Sequence, residues 1–496
     1  MTGPAGDSPT PTADPAPVRL RRTGPHPGPA RWTVAAVVAV VVGVGLVSAA
    51  VSTPTAATPP ATAGPVGIPP SDAGTSSAFC TAGAGHTAAS TVYLTNTTGR
   101  PVGGVMTAVG GGSGGAVSSA RRSVAVPAFG TVALDPTTGL RSGDYGASFS
   151  FAGGGVVATQ VVSGPLGWST SPCATGTSPE WAFAGGSTLQ GNAMYVTLYN
   201  PAAPDAVVNV TFLTPSGEVT PQAYQGLVVP SGGLATLDVG QYVQRATDIA
   251  TLVNVQSGAV VSSQFDQYSQ GTTTGLSLRL GSSGPSSDWQ FAQTTVVTGS
   301  TVSFDLANPG TTPVTATVTV GLTSGSVVPR RVPVAPQSVT HVVVSGAIGL
   351  PQQIPFSVDV DASGPVVVGR SVLAPRSAPS PGWGSSSGTV TAATHWLIPG
   401  PGVPRAPGTA HASVRSLAVA DPGPSPAQVT VSTLGSGGPV SVFTVAPGRL
   451  VVLDTRAVRG LSTFTVGASQ PVVVEEDSRP SGAPGVVSSA GFPFPG

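Results

Sequence analysis

Lysine is absent from the 496 residues, so the 20 basic side chains are all arginine. Charged residues make up only 8% of the chain, and the formal net charge is zero. No polybasic field exists to hold a phosphate backbone, which argues against nucleic-acid binding. Histidine is also scarce. His26, His86, His341, His395 and His411 stand apart, without the spacing of metal ligands. Apart from one apolar run near the N-terminus, no stretch shows a good helical stripe. Cysteine is limited to Cys80 and Cys173.

Glycine (67) and proline (51) are abundant instead, and valine recurs in short runs between turn residues. The mean hydropathy of +0.26 argues against disorder for most of the chain. This is the composition of many short strands joined by tight turns. The length exceeds what one compact core usually serves, so several domains are expected. An Ala/Gly/Pro/Val/Arg-heavy chain without Lys also points to a high-GC coding genome.

Residues 1–31 are Pro-rich and carry Arg19, Arg21, Arg22 and Arg31. Residues 32–51, WTVAAVVAVVVGVGLVSAAV, contain no charge. At about 1.5 Å per residue such a run spans roughly 30 Å, the thickness of a hydrocarbon core. Arg residues precede it and no basic residue follows for a long stretch. The expected topology is therefore a single-pass signal anchor with a cytoplasmic N-terminus and an extracytoplasmic remainder. A cleaved signal peptide is the alternative, since small residues surround Ser48-Ala49-Ala50. Residues 52–76, rich in Pro, Thr and Ala, read as an extended stalk. Outside the membrane the two cysteines fall in an oxidising compartment, and a Cys80–Cys173 disulfide is expected. A metal site would need neighbouring His, which neither cysteine has; two free thiols are the other alternative.

Self-comparison gives three landmarks that recur in the same order at intervals of about 105 residues. A strand ends in Asn or Asp at Asn96, Asn200, Asn308 and Asp421. A Val-x-Pro or Val-Pro turn precedes a hydrophobic strand at Pro127, Pro230, Pro336 and Pro447. A Val-rich strand then begins at Gly155, Ala259, Pro365 and Pro471. Three repeats open on Trp-x-apolar, at Trp181, Trp289 and Trp396, and such fixed aromatics are expected to fill cores. Val196 and Leu198 alternate with Tyr195, Thr197 and Tyr199. Val302, Phe304 and Leu306 alternate with Ser303 and Asp305. Period two with one polar face predicts half-buried antiparallel strands. Residues 239–249 leave room for one short helical turn.

The predicted fold is all-β: a tandem array of four immunoglobulin- or fibronectin-like β-sandwich units after a single transmembrane helix. The units are expected at residues 77–175, 176–283, 284–377 and 391–496, with a linker at 378–390. A propeller would repeat at about 40–50 residues, and half-repeats of that length are not found.

At these landmarks the chain resembles a set of actinobacterial secreted or membrane-anchored proteins known only as a domain of unknown function. The likeness rests on Ser77-Ala-Phe-Cys80-Thr-Ala-Gly83, on Trp181-Ala-Phe-Ala-Gly-Gly186, and on the run LYNPAAPDAVVNVTFLTPSGEVTPQAYQGLVVPSG at 198–232. It spans roughly residues 77–480 and is most specific over 181–280. The resemblance implies the same topology and a β-rich exterior, and it brings no catalytic residues. The fourth repeat departs from the pattern, with His395-Trp396-Leu-Ile-Pro-Gly in place of the Ala-Gly pair.

Each candidate for chemistry has a plainer reading. Gly111-Gly-Ser113-Gly-Gly115 matches a nucleophile elbow in letters, but it lies in a poly-Gly hairpin tip rather than a strand-to-helix turn. Asp359-x-Asp361-x-Ser363-Gly364 starts like a calcium loop, yet its twelfth position is Arg370 instead of Glu. A solvated strand face is expected for both acids. Glu475 and Glu476 are adjacent on a strand and point to opposite faces. Gln160, Gln264 and Arg370 occupy the equivalent position in the other repeats, so a polar residue ending the last strand explains all four. Arg121-Arg122 and Arg330-Arg331 read as solvated loop charges. No catalytic, cofactor or metal residue is assigned. The expected function is a non-enzymatic envelope protein, a spacer or interaction scaffold. The alternatives are a cell-wall glycan-binding module, which an exposed Trp168 or Trp383 in the linkers would favour, and an envelope-associated hydrolase. Expected partners are the membrane and cell-wall polymers or envelope proteins.

Overall fold

Valine and threonine favour the pleated backbone, and Gly, Pro and Asn end each run, so the chain folds back on itself again and again. The computed structural model describes residues 66–494, except 84–86, 112–116, 296–298, 326, 345–349, 351–353, 379–380, 401–413, 437, 455–462, 480–483 and 485–486. All of these lie in one compact unit, Ala63–Gly496, and the fold is all-β.

The first set of strands is β1 (Ser76–Ala82), β2 (Ala89–Asn96), β3 (Val102–Gly110), β4 (Ser118–Val126), β5 (Thr131–Leu134), β6 (Tyr145–Phe151), β7 (Val156–Gly164) and β8 (Gly167–Pro172). They form two four-stranded antiparallel sheets, β1-β6-β3-β4 and β5-β2-β7-β8. One core cluster joins both, with Ala78, Val92, Met106, Phe149 and Val156 packed together.

The same order then recurs. The second set is β9 (Glu180–Phe183), β10 (Ala193–Tyr199), β11 (Ala206–Thr214), β12 (Gly217–Val219), β13 (Leu227–Val229), β14 (Leu234–Asp238), β15 (Ala250–Ser257), β16 (Val261–Gln270) and β17 (Thr273–Leu280). It pairs as β9-β15-β11-β12, with β13 also on β11, and as β14-β10-β16-β17. A single 3-10 turn at Val239–Gln241 fills the short helical stretch expected there. The third set is β18 (Ser286–Thr295), β19 (Thr301–Asn308), β20 (Val314–Leu322), β21 (Arg330–Val334), β22 (Ser338–Val343), β23 (Pro355–Ala374) and β24 (Gly382–Ser387). The fourth is β25 (Ala393–Ile398), β26 (Val414–Asp421), β27 (Ala427–Thr433), β28 (Pro439–Val445), β29 (Arg449–Asp454), β30 (Phe464–Arg479), β31 (Val487–Ala490) and β32 (Phe492–Pro493). Here β23 and β30 each serve both sheets. The first half of β23 pairs with β18 and β20, the second with β19 and β24. In β30 the first half pairs with β25 and β27, and the second with β26 and β31.

This order is not the immunoglobulin one. There the first strand pairs with the second; here it pairs with the sixth, and the seventh takes the place beside the second. Each set also has a strand after the Val-rich one, β8, β17, β24 and β31, here called the eighth strand after its place in the first set, that the sequence pattern does not reveal. The expected linker at 378–390 contains β24, and β8 follows the strand taken as last. Gly-Trp-Ser composition looks like a loop, but these segments complete a sheet edge.

The sets close on one another. β1 packs on β16, β9 on β23, and β18 on β30. Leu397 of β25 meets Val157 of β7, which brings the fourth set back to the first. The eighth strands meet in the same circular order, β8 with β17, β17 with β24, β24 with β31, and β31 with β8. Glycine permits the closest approaches. A Cβ on Gly146 of β6 would come within 2.3 Å of the Tyr199 ring, and one on Gly369 of β23 within 2.0 Å of the Ala184 carbonyl.

Closure explains a further departure. The second strands were expected to be half-buried, but Thr197, Tyr199, Ser303 and Asp305 are all buried. Their polar face lies against the neighbouring set instead of water. Residues 66–76, expected as the end of an extended stalk, also pack down. The Ile68 N–H donates to the Pro493 carbonyl at 3.3 Å, and Gly155 N–H donates to Pro69 O at 3.0 Å. Among the described residues no helix is long and apolar enough to cross a membrane. The tail at 1–31, the anchor at 32–51 and the stalk up to residue 65 lie outside the described residues.

Candidate functional site

Four eighth strands meeting round a circle cannot all pair with one another, and a cavity of about 410 Å³ remains where their C-terminal ends converge. Every set contributes to its lining: Thr170 from β8, Ser283 after β17, Ser387 of β24 and Ser489 of β31, with Trp289 and Phe494 as its aromatic side chains. Around it, serines replace missing ladder bonds. Ser169 and Ser171 hydroxyls accept the N–H groups of Leu278 and Leu280 at 2.9 Å each, and Ser277 Oγ donates to Ser385 O at 2.9 Å. Among the described residues Arg279 is the sole charged one of the lining. Its guanidinium is already engaged by Asp266 at 2.9 Å and by the carbonyls of Ala184 at 2.5 Å and Gly185 at 2.6 Å. Burial pushes the Asp266 carboxyl above its ordinary value, against the pull of Arg279.

The polar position shared by the seventh strands is buried at Gln160, Gln264 and Arg370 and half-buried at Glu476, while Glu475, one residue earlier, is buried as well. Arg370 and Glu475 form an ion pair at 3.2 Å that joins the third set to the fourth. Gln293 N–H donates to Glu475 Oε2 at 2.8 Å, and Arg370 donates to Gln293 O and to Ser386 Oγ. Arg370 also lies 5.1 Å from the centre of the Phe291 ring. Burial raises the Glu475 carboxyl, outweighing the opposing pull of Arg370. Glu476 points the other way, as its neighbour position requires, and holds Arg415 in a bidentate pair at 2.5 Å.

A second polar cluster bridges sets two and three. Asp305 of β19 and His341 of β22 are cross-strand partners. His341 Nδ1 lies 2.7 Å from Asp305 and 3.0 Å from Asp248, which follows the 3-10 turn of the second set. At the position of Asp305 and His341 the second set has Thr197 and Thr236, and the fourth has Ala418 and Val452. The fold therefore does not require charge there. Ligand-type atoms of the three residues lie within 4.8 Å of one another. A proton shared between them satisfies the same geometry. Hydrogen bonds donated by the imidazole to the Asp248 and Asp305 carboxylates push His341 up to about 10. At Asp248 burial acts to raise the carboxyl, but hydrogen bonds from His341 and Thr247 outweigh it and hold it below its ordinary value. Burial raises buried Asp305, with His341 opposing.

A stability dependence follows from this. The His341 value is raised from 6.5 to about 10, so its contribution is full below pH 6.5 and is lost as pH climbs through about 10. His341 is partly exposed, so solvent screening limits the effect to about 1 kcal/mol. The melting advantage of the native chain over His341→Gln should shrink between these two pH values. An advantage that stays constant would show that no protonated bridge forms.

Other sequence-predicted residues have structural roles. Cys80 and Cys173 form a disulfide. Trp181, Trp289 and Trp396 are core residues, and their indole N–H groups donate to the carbonyls of Val260, Val366 and Val472 at 2.9 Å each. Asn96, Asn200 and Asn308 tie the corner after the second strand, each Nδ2 reaching two or more backbone carbonyls. Asp421 has no donor and instead accepts the Gly423 and Ala427 N–H groups. Trp168 and Trp383, looked for as exposed linker aromatics, are buried in β8 and β24. Asp361 is solvated as expected. Asp359 is half-buried, and desolvation raises it to about 6. Arg121 and Arg330 are exposed on edge strands rather than loops. His86, His411 and residues 112–115 of the glycine-rich segment lie outside the described residues.

Residues 146–276 match a family of unknown function, DUF5719. The match runs from β6 of the first set to β17 of the second, so the family spans the junction between two repeats. No curated protein matches the chain. Among solved structures, Thermotoga maritima 1070 is 20% identical, with a TM-score of 0.20, covering 21% of this chain and 94% of its own. A tetra-tandem repeat from the extending region of a large adhesion protein is 13% identical, with a TM-score of 0.11, covering 80% of this chain and 92% of its own. At these TM-scores neither likeness bears on fold or function.

Proposed function

We propose that the chain is a non-enzymatic, membrane-anchored envelope protein whose extracytoplasmic part is a rigid interaction scaffold. The observation that carries this reading is the use of charge. The buried ion pairs Arg279–Asp266 and Arg370–Glu475 lie within a set or join two sets, and the cavity at their meeting point takes no free charge from them. Burial of this kind favours rigidity over chemistry. We read the four strand sets as copies of one sandwich-like unit, with the third extended through β24. The apolar run at 32–51 supplies the anchor, and the Cys80–Cys173 disulfide fits an oxidising compartment. The resemblance to actinobacterial secreted and membrane-anchored proteins agrees with that placement. The hydroxyl-rich cavity, whose one charged lining residue among those described is paired with Asp266, favours a second reading, recognition of cell-wall glycan.

Two measurements test the proposal. Crosslinking on intact cells should capture the same envelope protein reproducibly at near-stoichiometric yield. Retention of the full chain on protein-free wall polymer, with no protein partner, would favour the second reading. A labelling experiment that finds the C-terminus in the cytosol overturns both.

A further inference from the structure

We infer that the cavity where the eighth strands meet is a binding site for one uncharged sugar ring, the free end of a neutral glycan. This deepens the second reading above and does not depend on the scaffold role. Three observations support it. The volume, about 410 Å³, lies near the lower end of small-molecule sites, which run from roughly 300 to 1,000 Å³. It admits one or two rings and excludes a folded domain.

Charge complementarity decides the next point. The charge of Arg279 is already paired with Asp266, and its two terminal nitrogens are held by Asp266 and two carbonyls, with only the buried Nε–H left over, so the described lining offers no unpaired counter-ion. A carboxylated or ammonium ligand would be desolvated without a partner, at a cost of several kcal/mol. A neutral ligand avoids that cost.

The lining chemistry then separates a sugar from an acyl chain. Ser283, Ser387 and Thr391 each border the cavity, and their hydroxyls make no hydrogen bond to another described residue. An acyl chain would strip water from these hydroxyls and return nothing. A polyhydroxy ring pairs with them. It also needs an apolar surface for its C–H face, and half-buried Phe494 supplies one beside His395, with ring centres 5.5 Å apart. The convergence of four repeats is what creates the site, since no single set contains it.

The experiment is saturation-transfer NMR and calorimetry on the full-length chain. Probes are a panel of neutral monosaccharides and disaccharides, the matching uronic acids, decanoate, and purified neutral wall polysaccharide. At least one neutral sugar should bind while its uronic acid does not. Ser283→Trp, an exposed position at the rim, should weaken that binding at least tenfold with an unchanged melting temperature. Phe494→Ala should weaken it as much, at some loss of stability because Phe494 also packs on the Val157, Leu397 and Phe492 cluster. If either variant does not fold, the other decides. Binding of free sugar and polymer alike identifies a chain end as the ligand, whereas binding of free sugar alone identifies a soluble sugar; both support the site. The inference is overturned by no neutral sugar binding at about 10 mM, where even affinities near 4 kcal/mol register. Binding that neither variant changes, or binding of decanoate or the uronic acid in place of the sugar, also overturns it. Wall retention of the chain together with any of these results would leave the glycan reading standing and place its site elsewhere.

Discussion

Replacing both Cys80 and Cys173 with serine is expected to lower the unfolding free energy by about 4–5 kcal/mol. The crosslink closes a sequence separation of 93 residues, and in the chain-entropy description a loop of that size is worth this much. The position adds a second reason. Set one has Ala78 where the other three have Trp181, Trp289 and Trp396. Each of those indoles ties its first strand to the backbone at the start of the seventh, across the core. The first set has no such tie. Its first strand is held instead by the disulfide to the residue after β8, flanked by paired hydrogen bonds between Phe79 and Ala174. The fold should therefore be more sensitive to reductant than a chain with four indoles would be. Urea unfolding of the native and doubly substituted chains checks this. A loss below about 1 kcal/mol would mean that packing alone holds the first strand, since such a value is typical of ordinary surface changes rather than of a native crosslink.

Glu475→Ala is expected to cost about 3–5 kcal/mol, because it leaves Arg370 buried without its partner. Both side chains are 1% exposed, so water cannot take over. The Gln293 N–H loses its acceptor as well. Burial raises the Glu475 carboxyl despite Arg370, so the pair does not fully offset its own desolvation. An apolar replacement of both partners, Arg370→Met with Glu475→Leu, should then recover most of the loss. The double-mutant cycle isolates the coupling. If Glu475→Ala and the double variant are equally unstable, the residues matter for shape and not as an ion pair. The contact joins β23 to β30, so the single variant should also raise hydrogen exchange along the third-to-fourth junction before it does so in the first set.

The origin of these effects lies partly in the linear sequence and partly outside it. Valine alternation and the recurring Asn and Val-x-Pro landmarks are local patterns, and they carried the all-β class and the burial of the three tryptophans. The two cysteines could pair only with each other. The eighth strands were missed because Gly167-Trp-Ser-Thr-Ser and Gly382-Trp-Gly-Ser-Ser-Ser carry no valine run. Their shared Gly-Trp start was the signal available, and it resembled a linker. The polar face of the second strands could not be assigned either. Thr197 and Asp305 follow the pattern of solvated residues, and only a neighbouring set covers them.

The same limit applies to the candidate site. His341 and Asp248 are isolated in sequence and meet because two sets share an interface; Arg370 and Glu475 look like polar strand ends until the next set arrives. The cavity belongs to no repeat. Side-chain periodicity records which face of a strand avoids water, so the sequence by itself determined the all-β class, most of the strands and the crosslink. Which polar face meets another repeat depends on how the copies pack, and only the tertiary structure decided the strand order, the buried charges between sets and the space at their meeting point.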